Sequence, residues 1–347
     1  MQGGACKAAR AGFSLWMTPA THEDKTMTKV SIAIASMGRD SLADTLRSFT
    51  RLHSRNAFEL DVVIADDSRD GAAGRLVRSL TGGSLPADGL AGDGLAEQGL
   101  TGTDLPVRVL PVHAGNISKA RNALLDAVGG DWLVFVDDDE WVEPDWLEQL
   151  FACARMFHAD VVVGPVIPHY PDGTPDWLVK ANPLYADWGA QGQTLTTGRG
   201  GNTLVRMAPV RDLGLRFRPE FGTTGGEDTD FFGRAAAQGL KIVACDTAIA
   251  REHVPAERLD SRYIMTRAIR AGQSYGLHQM AARPAPGFRL LFCASALAKT
   301  AAAMALALAA APVSKARAFR YRQKAALNCG KLRACAGLPL AELYKAP

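Results

Sequence analysis

WLVFVDDDE, residues 132–140, decides how this sequence folds. Five apolar residues run straight into four carboxylates. An apolar run of that length with a sharp polar stop reads as a buried strand ending at a turn. Four adjacent carboxylates repel one another, so their presence needs a reason. Asp137 and Asp139 occupy alternate positions of an extended segment and are expected to point the same way. Two carboxylates at a strand end form a hard oxygen site for Mg2+ or Mn2+, an ion that keeps open positions for phosphate oxygens. A solvated acidic turn ahead of a helix near Pro144 and Asp145 is the plainer explanation. The position directly after a buried strand favours the first.

Similar punctuation recurs on both sides. Residues 30–35 (VSIAIA) form a first strand that ends in Ser36-Met37-Gly38-Arg39, and Ser41 is placed to cap a helix to about Arg51. Residues 60–65 (LDVVIA) form a second strand, stopped by Asp66-Asp67-Ser68. Further strands are expected at 107–112, 161–166 and 240–244, with helices at 117–128 and 144–157. This alternation predicts an α/β fold with a mostly parallel sheet flanked by helices. Ligands bind such sheets beyond the carboxyl ends of the strands. Residues 81–105 break the rhythm with low-complexity echoes of Gly, Leu and Asp and read as an insertion.

Three further motifs lie where a site would be. Asp66 can accept hydrogen bonds from a ribose or a base, although Asp and Ser also simply form turns. Arg121, with Lys119, starts a helix and can pair with a diphosphate. Its alternative is a helix with a basic exposed face. Gly225-Gly226-Glu227-Asp228 opens another helix, and one of these acids can serve as a general base. Ordinary acidic charge at a helix start accounts for it equally. His253 follows a strand and can complete a metal shell, while most lone histidines ligate nothing.

The bulk numbers are permissive. The 347 residues are 47% hydrophobic and 22% charged, so a sizeable core can form. A net charge of +3 gives no reason to expect nucleic-acid binding. Six cysteines include no C-x-x-C pair, which fits a reducing cytosol. No G-x-G-x-x-G follows the first strand, which excludes a dinucleotide dehydrogenase. Residues 1–28 lack a signal-peptide pattern and read as a disordered leader. Residues 288–311 are apolar and Ala-rich but interrupted, and a basic tract follows from Lys315 to Arg333. Together they read as a helix at a membrane surface; an Ala-rich helix packed on the domain is the alternative.

Taken in order, these motifs resemble the family 2 inverting glycosyltransferases of the GT-A fold over residues 30–275. Those acting in bacterial exopolysaccharide synthesis of the succinoglycan type are the most similar, through FVDDDE and GGEDTDF. The resemblance implies a catalytic domain at 29–256, followed by a helical, membrane-associated region at 257–347. It implies a nucleotide site of Ser36, Arg39, Asp66, Arg121 and Asp137. A Mg2+ or Mn2+ ion would be held by Asp139, Asp137 and His253. Asp228 would be the base, with Glu227 beside it on the acceptor. The partners implied are a nucleotide diphosphate sugar, such as UDP-glucose, and a glycan or lipid-linked oligosaccharide acceptor. The place implied is the cytosolic face of the inner membrane, touched through residues 288–333. Thr196–Asn202 and Trp188 would meet the acceptor, or else form a Gly-rich turn and a packed aromatic. The Q-x-x-R-W motif of processive synthases is absent, 273–277 reading QSYGL, so one sugar per visit is expected. The rivals are a sugar nucleotidyltransferase and a non-catalytic membrane-surface relative.

Overall fold

Val30, Ile32 and Ile34 alternate with Ala33 and Ala35 along the first strand, and both faces of that strand are covered. A strand buried on both sides belongs in the middle of a parallel sheet with helices above and below. A computed structural model describes residues 27–81, 98–99, 105–223 and 225–341. All but the last two residues of the expected leader and most of the low-complexity insertion lie outside the described residues.

The strands are β1 (Lys29–Ser36), β2 (Glu59–Asp66), β3 (Gln98–Gly99), β4 (Pro106–Pro111), β5 (Trp132–Phe135), β6 (Glu140–Val142), β7 (Val161–Val163), β8 (Val166–His169), β9 (Thr194–Leu195), β10 (Thr203–Arg206), β11 (Ile242–Ala244) and β12 (Ala250–His253). The helices are α1 (Leu42–Phe49), α2 (Ala72–Leu80), α3 (Ile117–Ala127), α4 (Trp146–Phe157), α5 (Asp176–Ala181), α6 (Met207–Asp212), α7 (Glu227–Ala237), α8 (Ser261–Ala282), α9 (Pro286–Ala310) and α10 (Lys315–Cys335). Nine strands form one sheet in the order β3-β4-β2-β1-β5-β10-β7-β11-β9. The block β4-β2-β1-β5 is parallel throughout, and β10 runs antiparallel between β5 and β7. One face packs on α1, α2 and α4 through Leu46, Val77 and Trp146, and the other on α3, α6 and α7 through Leu124, Val210 and Phe231.

Three local expectations change. The strand read at 161–166 is two strands, broken at Gly164-Pro165, because β8 leaves the main sheet to join a second one, β6-β12-β8. Proline donates no ladder hydrogen bond, so the chain turns there. Ser41 makes no side-chain cap, and α1 ends at Phe49. Pro144 precedes α4, which begins at Trp146.

Asn202 ties the two sheets together. It is fully buried with φ 44°, and its side chain accepts from the Trp146 indole at 2.7 Å. It donates to the Pro165 and Ala248 carbonyls at 2.7 and 2.8 Å. All its bonds go to the fold, so it does not meet an acceptor. Trp188 is partly buried and packs against the core on one face of the sheet.

Candidate active site

β1 and β5 are parallel neighbours, so the turns that follow them come together. Ser36 donates to Asp138 at 2.8 Å, and Arg39 donates to Asp138 and Asp139 at 3.1 Å each. The extended strand does not continue through the carboxylates: β5 stops at Phe135, and Asp138 and Asp139 lie in a turn. The simple alternation expected for Asp137 and Asp139 is therefore replaced by a turn. Asp138 and Asp139 meet Arg39 on one side, and Asp137 meets Arg121 on the other.

Arg121 reaches up from α3. It is 5% exposed and donates to Glu227 at 2.5 Å and to Asp137 at 3.2 Å. Burial alone would lower its pKa, but the charges of Glu227, Asp137 and Asp228 outweigh that and hold it charged. Arg199, from the loop before β10, donates to Glu140 at 2.9 Å and lies 3.8 Å from Asp137. The sequence placed Arg199 in the 196–202 segment, expected to meet the acceptor or to form a Gly-rich turn. Its neighbours explain those glycines. A Cβ on Gly200 would sit 2.0 Å from the Arg121 guanidinium, and one on Gly201 would sit 2.5 Å from Glu140. Glu252 and Arg258 also join, paired at 2.7 Å, with Arg258 3.5 Å from Asp139. Residues 252–259 (EHVPAERL) resemble the family's E-x-V-P-x-x-x-L pattern, but only His253 was singled out there for a role.

Mutual repulsion is strong here. Burial, then Asp137 and Glu252, push the Asp139 carboxyl up to about 7. Burial also raises Asp138, against Arg39 and Ser36, and raises Glu140 well above the ordinary carboxylate range, against Arg199. Groups so crowded favour a cation in their midst.

Other expected residues are placed differently. Asp66 is buried; it accepts from the Ser68 and Gly74 amides at 3.1 and 2.9 Å and so organises its own loop rather than facing the cleft. Asp67 accepts from the amides of Ala114, Gly115 and Asn116. Ser36, also buried, braces Asp138. Glu227 is turned inward onto Arg121 rather than outward to an acceptor, and burial followed by Asp228 raises its pKa against the opposing Arg121. Asp228 is only half-buried. It accepts from the Thr229 amide at 2.6 Å and the Gly200 amide at 3.3 Å.

His253 lines a cavity of about 310 Å3 together with Arg39, Asp139, His169 and Arg258. Its ring lies 4.2 Å from that of Trp141, and its Nε2 is 3.4 Å from Asp44. Among the described residues no three His, Cys, Asp or Glu side chains gather as a metal shell. Of the three ligands expected from the sequence, Asp139 and His253 line this same cavity. Asp137 and Asp139 alone still suit a divalent ion. Mg2+ is commonly held by one or two carboxylates, with substrate phosphates and water completing its octahedron. The raised Asp139 carboxyl is the observation that fits such an ion.

A carboxylate-rich cleft over the carboxyl ends of β1 and β5, beside a helix that opens on two acids, defines a glycosyltransferase of the GT-A fold. The chain belongs to glycosyl transferase family 2. The family profile matches residues 93–214. The succinoglycan biosynthesis protein ExoM of Rhizobium meliloti (strain 1021) is 33% identical over 325 residues, covering 91% of this chain and 96% of that protein. The crystal structure of S. aureus TarS 1-349 shares the fold at a TM-score of 0.50 and 14% identity, over 89% of this chain and 92% of that one. The same TarS fragment in complex with UDP-GlcNAc gives 0.50 at 16% identity, over 90% and 93%.

Proposed function

We propose that the protein transfers one hexose, with inversion, from a UDP-sugar to a hydroxyl of a lipid-linked oligosaccharide during cell-surface polysaccharide synthesis. One observation carries the reading: Arg121, Asp137, Asp139 and Asp228, scattered in sequence, gather in one network of interacting charges. ExoM supports the polysaccharide setting by its name, and the TarS complex supports a UDP-sugar donor. The setting proposed is the cytosol, at the inner face of the membrane.

In this mechanism Asp228 accepts the proton of the acceptor hydroxyl as its oxygen attacks the anomeric carbon. The bond to the diphosphate breaks on the opposite face, which inverts the centre. Arg39, half-exposed, offers its guanidinium to the nucleotide diphosphate. Arg121 holds Asp137 and Glu227 in register, Ser36 braces Asp138, and Asp66 fixes the loop after β2. Asp139 and Asp137 would hold a Mg2+ or Mn2+ ion, which supplies charge neutralisation at the leaving diphosphate.

Asp228→Asn is expected to lower transfer at least a hundredfold and to leave UDP affinity within a factor of about two, because a base acts on the acceptor. Transfer rate and calorimetric UDP binding test this together. Normal turnover in the variant overturns the assignment of the base. A panel of UDP- and GDP-sugars tests the donor.

A further inference from the structure

Sugar transfer leaves the C-terminal helices unexplained. Residues 261–341 hold thirteen Lys and Arg and no Asp or Glu, in a chain of net charge +3, so the remainder is net negative. Helix α9 packs on α10 through Ala296, Ala303 and Ala307, and Arg289 near its start bonds the Cys335 carbonyl at the end of α10. The two helices therefore form an antiparallel hairpin. The outer side of α9 is bare: Leu290, Leu291 and Leu308 are each 72% exposed and Leu297 61%. With Met304 these side chains fall within an arc of about 140° at 100° per residue, and only alanines lie between them. Lys299 lies outside that arc. On α10, Lys315, Arg317, Arg320, Arg322 and Lys324 are exposed.

We propose that this hairpin docks on an anionic bilayer, with α9 lying in the plane of the interface, its leucines in the acyl boundary and the α10 cations against the headgroups. The charge decides the partner. A surface this basic and free of carboxylates complements anionic lipid and repels a second copy of itself. The packing decides the pose. At 1.5 Å per residue α9 is about 37 Å long, enough to span. Because α10 lies along it, spanning would draw a row of cations into hydrocarbon, which is heavily penalised. Lying flat buries the leucine face alone. The inference deepens the membrane setting proposed above but rests on surface chemistry, not on the sugar-transfer reading.

Co-sedimentation of the full chain with vesicles tests it, without donor or acceptor present. Vesicles of phosphatidylcholine with about 30% phosphatidylglycerol should bind at least tenfold more tightly than phosphatidylcholine alone, and salt should weaken that binding. Leu290→Glu with Leu297→Glu should lower affinity at least tenfold with an unchanged circular-dichroism spectrum. The exposed pair Arg317→Gln with Arg320→Gln should weaken binding and flatten its salt dependence, an arm that does not depend on α9. Alkaline carbonate should strip the wild type from membranes. Resistance to carbonate would overturn the in-plane pose. Equal or absent binding to both vesicle types would overturn lipid docking. A dimer by light scattering that the leucine variants dissolve would assign the face to a second copy. Failure of vesicle binding leaves the transfer assay of Asp228→Asn unaffected, so the two readings fail separately.

Discussion

Asp139 is costly to the fold in the absence of a cation. Its carboxyl ionises near 7 when folded, against 3.8 in an ordinary setting. Between those values the unfolded chain has released a proton that the folded chain keeps, so stability falls as pH rises through this window and levels off above it. The displacement corresponds to at most about 4 kcal/mol. Asp139→Asn is therefore expected to raise the melting temperature at pH 8 and to leave it unchanged near pH 4. Thermal scans at the two pH values check this. An equal effect at both would show that Asp139 does not titrate as described. If the ion proposed above binds here, added Mn2+ raises the wild-type melting temperature at pH 8 and not that of the variant.

At the scale of elements, α8 and α10 cross with their backbones in close approach. A Cβ on Gly272 would lie 1.9 Å from the Leu327 carbonyl, and one on Gly330 would lie 2.0 Å from the Ile269 carbonyl. The backbones touch, and no side chain can yield. Through this contact α8 is braced where Arg270 donates to the Gly225 carbonyl at 2.7 Å, just before the acids of α7. Gly272→Ala is expected to destabilise by about 2 kcal/mol through overpacking, more than helix propensity returns. Gly287→Ala, in open space on α9, should be neutral or stabilising by up to about 1 kcal/mol. Denaturant midpoints of the two variants compare them directly. Little of this was legible beforehand: Gly272 and Gly276 stand four residues apart in the sequence, which does not show what they face.

Across the whole molecule, the C-terminal helices share a core with the sheet-bearing part. Leu178 and Leu184 pack with Val254, Ile264, Ala316 and Phe319 in one cluster. Gln323 donates to the Pro183 carbonyl at 2.6 Å, and the Lys315 ammonium sits over the Trp177 ring at 4.2 Å. Shared burial couples the parts, so calorimetry is expected to show one unfolding transition. Phe319→Ala should shift that whole transition downward, with a loss of about 3–5 kcal/mol. Two separate transitions, with only one moved, would show independent units.

Hydrophobic runs and their punctuation determined β1, β2, β4, β5, β7 and β11, the parallel block and the acidic turns, because burial on both faces and turn chemistry are local signals; the antiparallel β10 was not among them. WLVFVDDDE alone placed carboxylates at a strand end. Which carboxylates face the cleft was decided only by tertiary structure. Asp66 and Glu227 looked like ligands in sequence, yet backbone amides and Arg121 claim them. Arg199, Glu252 and Arg258 carried no site role of their own in sequence, yet they join the site from segments far apart in the chain. A side chain's role depends on which partner reaches it first, and that follows from packing between distant elements rather than from neighbours in sequence.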